Sequence, residues 1–146
     1  MEPDAFLKAL DEERIVAAIR QAEARSRGEI RVHVAEREIN DPRTEAARVF
    51  ERLGMTDTAE RNGVLLFVAP ASQSITVLGD RAVHERCGEA FWTTVVESVR
   101  EEFRAGRFTE GIVAAVGAVG DVLARHFPRR PGETDVNELP DTVSHG

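Results

Sequence analysis

Cysteine occurs once in this chain, tyrosine not at all, and lysine only at Lys8. The single cysteine, Cys87, excludes an internal disulfide and any zinc site built on cysteine pairs. Arginine carries the remaining positive charge, and the formal net charge is still −7. Nucleic-acid binding draws on clustered Lys and Arg; no one-sided basic stripe occurs here, so no nucleic-acid partner is expected. An acidic surface suits metal cations or a basic protein partner instead. Long apolar runs are missing too. The most apolar stretch, Val64 to Ala71, is too short to span a bilayer and contains Pro70, so no direct membrane insertion is expected. Met1-Glu2-Pro3-Asp4 is acidic where a secretory signal is basic, and no uninterrupted apolar segment follows. These absences predict a cytoplasmic location.

What is present is a succession of helix-period and strand-period patterns over 146 residues, enough for one domain with a real core. Phe6, Leu7 and Leu10 suggest one helical turn. Asp11 reads as a helix cap, and Ile15, Ala18, Ile19 and Ala22 mark one apolar helical face that Gly28 should end. Residues 29–36 alternate as a half-buried strand, Ile30, Val32 and Val34 inward and Arg31 and His33 outward. Asp41-Pro42 opens a second helix, which Gly54 closes. Residues 63–69 are apolar on both faces and predict a central strand, and 74–79 its antiparallel return. A fourth strand could hide in the 54–60 connection. Two longer helices follow, the second interrupted by Gly111, Gly117 and Gly120, read as points of close packing. The expectation is an α/β fold, a three-layer α/β/α sandwich with a small mixed central sheet, over residues 1–127. Residues 128–146 form a polar, Pro-containing acidic tail. Its composition favours a disordered solubilising segment; the alternative is a peptide, Asn137 to Val143, that docks on this domain or on a partner.

A β-α-β unit makes the first two strands parallel, and the hairpin returns the third antiparallel. Glu29, Glu60, Arg61, Asn62, Asp80 and Arg81 therefore share one edge, with neighbouring strands ~4.8 Å apart. Glu29, Asn62 and Asp80 offer the oxygen donors that a hard cation such as Ca²⁺ selects. Each also has a structural reading: Asp80 as the cap of a helix starting at Arg81, Asn62-Gly63 as a turn, Glu29 as a solvated partner of an arginine. Arg61 and Arg81 would balance the carboxylates or, less readily, hold a phosphate.

Four stretches carry a family resemblance: Ser26-Arg-Gly-Glu-Ile-Arg-Val, Arg61-Asn-Gly-Val-Leu-Leu-Phe-Val-Ala, Leu78-Gly-Asp-Arg and Phe103-Arg-Ala-Gly-Arg-Phe-Thr-Glu-Gly-Ile. In that order they resemble the TPM domain, named for a thylakoid acid phosphatase, a photosystem II repair factor and a receptor modulator. The likeness runs from about Phe6 to Phe127. It implies an α/β/α sandwich, often with Ca²⁺ bound near loops at one sheet edge, and weak acid phosphatase activity in a plant member. Leu78-Gly79-Asp80 stands where tethered members tend to have Gly-Tyr-Gly, and the chain looks closest to the short cytoplasmic bacterial type.

Cys87 is followed by Gly88-Glu-Ala-Phe-Trp, not by the arginine of a cysteine-phosphatase loop, and reads as a buried small hydrophobe. His84 and Cys87, three apart on a helix, lack two further ligands for a soft metal. His33, His126 and His145 are scattered, Ser74 and Ser98 have no triad signature, and Trp92 and Phe91 read as core. Three function classes follow: a Ca²⁺-binding or adaptor module with an unknown protein partner, a weak metal-assisted acid phosphatase, and a purely structural interaction domain.

Overall fold

The computed structural model describes residues 1–129 and 141–146. Helices α1 (Pro3–Ala9) and α2 (Glu12–Ala24) precede strand β1 (Glu29–Val34). Helix α3 (Pro42–Arg52) leads to β2 (Gly63–Ala69), and β3 (Ser74–Gly79) returns. Helices α4 (Arg81–Cys87), α5 (Glu89–Arg104) and α6 (Phe108–His126) follow, and a short strand β4 (Ser144–His145) comes last. The sheet order is β3-β2-β1-β4; β1 is parallel to β2 and β4, and β3 is antiparallel to β2. The mixed sheet lies between helices, as the sequence pattern predicts.

Alternation along the strands builds the two cores. Ile30, Val32, Val34, Val64, Leu66 and Val68 pack with Ile15 and Ile19 of α2, Val95 and Val99 of α5, and Ile112 and Val116 of α6. Leu65, Phe67 and Ala69 turn to the other face, against Ala46, Val49 and Phe50 of α3. Strand β2 is buried throughout. At ~1.5–3 kcal/mol for each large apolar side chain fully buried, it is the centre of the fold's stability. Asp11 and Asp41 cap their helices as expected, each accepting from the backbone N–H three residues on.

Four expectations need correction. The 54–60 connection holds no strand: Gly54, at φ +74, turns into a single 3₁₀ turn at Met55–Asp57. The fourth strand comes from the tail, whose residues 141–146 dock on β1, while Asn137 to Pro140 lie outside the described residues. Helix α2 ends at Ala24, before Gly28, and the Arg129 guanidinium donates to the carbonyls of Glu23, Ala24 and Ser26 that its end leaves without helical partners. Strand β1 is buried on both faces, not half-buried, since the docked tail lies beside Arg31 and His33.

Candidate functional site

The register pairs Glu29 with Gly63 and Val64 with Gly79, so Glu29, Asn62 and Asp80 do meet at one end of the sheet. Backbone bonds tie them: the Asp80 N–H donates to the Gly63 carbonyl at 2.8 Å and the Glu29 N–H to the Asn62 carbonyl at 3.4 Å. Their side chains do different things.

Asp80 is buried, and its carboxylate accepts from Arg61 Nε at 2.9 Å and Arg61 Nη2 at 3.1 Å. It also accepts from the Arg81 backbone N–H at 2.7 Å, capping α4. Arg61 adopts φ +52, a left-handed conformation unusual for a residue with a side chain. Three contacts hold it there: the fork on Asp80, its N–H donating to the Thr58 carbonyl at 3.3 Å, and its carbonyl accepting from the Ala82 N–H at 3.2 Å. The hydrogen bonds it donates to Asp80 raise the Arg61 guanidinium above its ordinary range. The Arg81 side chain is exposed and makes no ion pair among the described residues; only its backbone serves the edge. Glu60 pairs with Arg27 at 2.7 Å.

Asn62 is 1% exposed; its Nδ2 donates to the Arg27 carbonyl at 2.9 Å, and its buried Oδ1 has no donor among the described residues. Glu29, read as a cation ligand or else as a solvated partner of an arginine, is buried. Among the described residues, no group of three or more His, Cys, Asp or Glu side chains is placed to hold a metal ion. The edge is thus an ordered polar network with one carboxylate already neutralised.

A second cluster escaped the sequence reading. The Glu23 carboxylate accepts from the Ile30 N–H at 3.0 Å on the side of β1 that faces β4. Burial, a hydrogen bond with Asp141 and the nearby Glu29 push Glu23 up to about 10, although the Ile30 N–H works the other way. Asp141 also lies 3.5 Å from Arg20. Further along, the Gly146 N–H donates to the Val34 carbonyl and the Glu36 N–H to the Gly146 carbonyl. His33 Nδ1 and Ser144 Oγ are 2.8 Å apart, and the His33 ring stacks on Phe67. Burial, then Arg52 and Arg31, lower His33 to about 4, so it is a neutral ring at neutral pH. Glu23 had one legible signal: it falls four residues after Ile19, on the apolar face of α2. Asp141 had none, because its contact spans more than a hundred residues.

Cys87 is half-buried, and burial raises its thiol, so it is no activated nucleophile. His84 is exposed, 3.9 Å from Glu89. Two cavities, of about 410 and 460 Å³, lie along the outer side of β3.

These features define an α/β/α domain whose strand starts carry a salt-bridged polar edge. The chain belongs to the TPM domain family, whose model matches residues 1–122. It is similar to the BA42 protein from the psychrophilic bacterium Bizionia argentinensis sp. nov., solved by NMR. Identity is 36%, coverage 92% of each chain, and the TM-score 0.84. The N-terminal domain of a P. gingivalis protein shares the fold, at 18% identity and a TM-score of 0.62 over 78% of this chain and 76% of that one. No curated protein matches. No helix among the described residues is long and apolar enough to cross a membrane.

Proposed function

We propose that this TPM domain is a non-catalytic adaptor module rather than a phosphohydrolase. One observation supports this above the others: Asp80, the candidate base or metal ligand, is committed to the Arg61 fork and the α4 cap. A general base needs a free oxygen within reach of the proton it abstracts. The raised Cys87 thiol supplies no alternative nucleophile. The test is turnover of p-nitrophenyl phosphate from acid to neutral pH, with and without Mg²⁺ or Ca²⁺. Turnover should stay at background or, at most, be weak, metal-dependent and unchanged in Cys87→Ser. Robust hydrolysis lost in a folded Asp80→Asn variant would overturn the adaptor reading.

A second reading, weak Ca²⁺ binding at the same edge, draws support from the buried, donor-less Asn62 Oδ1 at the same end of the sheet as Asp80. As folded, the donors do not form a ready site, since a cation has to displace the Arg61 guanidinium from Asp80. Affinity should then be no better than about 10⁻⁴ to 10⁻³ M. In an amide titration with millimolar Ca²⁺, shifts should cluster at residues 28–30, 60–63 and 79–82. Arg61→Gln should tighten binding several-fold, and Asp80→Ala should abolish it. Unmoved amides, or Arg61→Gln weakening the response, would make the edge purely structural.

A further inference from the structure

We propose that the outer edge of β3, facing α5, receives an extended acidic peptide from a partner protein, added to the sheet as an antiparallel strand. The sheet has two edges. The β1 edge is filled by the chain's own β4 and by the Glu23 carboxylate on the Ile30 N–H. The β3 edge has no strand beside it among the described residues.

Its register shows which groups it presents. Hydrogen-bonded and non-bonded pairs alternate in an antiparallel ladder. The Asp80 N–H bond to the Gly63 carbonyl fixes the phase, so Leu78, Thr76 and Ser74 bond inward to β2. Ile75, Val77 and Gly79 therefore direct their N–H and C=O groups outward. None of these groups has a backbone partner elsewhere among the described residues. Exposed edges are usually blunted by a charge, a proline or a bulge. Ser-Ile-Thr-Val-Leu-Gly carries no charge and no proline, and its ladder with β2 is continuous.

A groove runs beside these groups. Its first part, about 410 Å³, has Ile75 to Gly79 on one wall and Trp92 and Val96 of α5 on the other. The second, about 460 Å³, continues at the Ser74 end to Phe103 and Arg104; Ile75 and Arg100 line both. Gly79 has no side chain, and a Cβ there would lie 2.8 Å from the Trp92 ring, so the indole packs directly on the strand. Trp92 is 6% exposed, and its buried Nε1 has no acceptor among the described residues.

Charge sets the occupant. Arg43, Arg100 and Arg104 line this groove, and none makes an ion pair among the described residues. The acids there, Asp41, Glu89 and Glu97, all line the first part; the second part, at the Ser74 end, has Arg100 and Arg104 and no acid in its lining. Arg100 and Arg104 both stand at the Ser74 end. A strand antiparallel to β3 ends there, so its C-terminal residues should be acidic, with apolar side chains behind them. Main-chain bonds supply affinity in such additions, and side-chain pockets the selectivity.

This inference rests on the adaptor reading but not on the Asp80 edge. The test is an amide titration and hydrogen exchange on the full chain with a blocked peptide of alternating Thr and Val that ends in Glu-Glu. Shifts should centre on Ile75, Val77, Gly79 and the Trp92 indole N–H, with slowed exchange at the three outward amides. The same peptide ending in Lys-Lys should bind about tenfold more weakly, and Arg100→Glu with Arg104→Glu should reverse that order. Both arginines are exposed, so the fold should tolerate the exchange. Equal binding of the two peptides, undiminished binding after N-methylation of the Val residues, or occupation of the edge by a second copy in sedimentation would overturn the proposal. A failed titration without phosphomonoester turnover removes this surface alone; robust turnover removes the adaptor reading, whatever the peptide does.

Discussion

Gly120→Ala should destabilise the domain by ~1–3 kcal/mol, the usual range for an overpacked contact. A Cβ at Gly120 would lie 2.6 Å from Ala22 Cβ and 3.3 Å from Ala22 Cα, so it meets the body of α2, not a side chain that can swing away. The two helices cannot easily part. Just past their C-termini the chain ends are joined by the Ser26–Pro128 bridge and the Arg27 N–H bond to the Phe127 carbonyl, and Arg25 holds Asp121 at 2.7 Å beside the contact. Gly117→Ala, three residues earlier on the same helix, should do the opposite. Nothing lies within 4 Å of its added methyl, so only the helix-propensity gain of about 0.5–1 kcal/mol remains. Urea unfolding of the two variants checks the pair. Equal effects, or a stabilising Gly120→Ala, would mean that α2 and α6 adjust their spacing freely.

That pair also marks how far local pattern reaches. Periodicity located every long helix and three strands, because Ile15/Ile19 and Ile30/Val32/Val34 repeat at the periods of the elements they form. Strand directions then brought Glu29, Asn62 and Asp80 to one end, since a β-α-β crossover followed by a short hairpin allows little else. Helical glycines could be recognised as unusual, but which of them touches a neighbour depends on how the helices cross: Gly111 meets Glu102 and Phe103 of α5, Gly120 meets Ala22 of α2, and Gly117 meets nothing. The Arg61 fork was invisible for a similar reason. A positive φ at a non-glycine residue turns the guanidinium back onto Asp80, and no local preference predicts it. The docked tail was the largest gap. Val143, Ser144 and His145 carry too weak a pattern for a strand; β4 forms because the outward groups of β1 need partners. The alternation pointed Arg31 outward, yet both Arg31 and Glu23 are buried in the folded chain.

Stability should fall as pH rises above neutrality, and Glu23→Gln should remove most of that decline. Glu23 is raised from 4.5 to about 10, first by burial, then by its hydrogen bond with Asp141 and the charge of Glu29. Arg20, near Asp141, and the buried Arg31 are the cations facing the cluster. Between those two pH values the unfolded chain has released the Glu23 proton while the folded chain keeps it. Folding therefore binds a proton, and the stability present below pH 4.5 is lost progressively as pH climbs towards 10. His33 acts at the other end: lowered from 6.5 to about 4, it stays neutral in the fold while the unfolded chain is protonated, so stability also falls as pH drops through that window. Between pH 4.5 and 6.5 the two slopes oppose and nearly cancel, so stability should be flat across that window and fall above it. Glu23→Gln keeps an oxygen for the Ile30 N–H and a donor for Asp141 but has no proton to retain. At pH 8 it should be more stable than the wild type by ~1–3 kcal/mol, the scale of one buried polar group's desolvation. Glu23→Ala, which strands the Ile30 N–H, should be less stable than Glu23→Gln at every pH. Urea titrations at pH 5, 7 and 9 read all three. A wild-type curve that is flat or rising above pH 7, or a Glu23→Gln curve that falls in parallel with it, would show that the tail leaves Glu23 open to water.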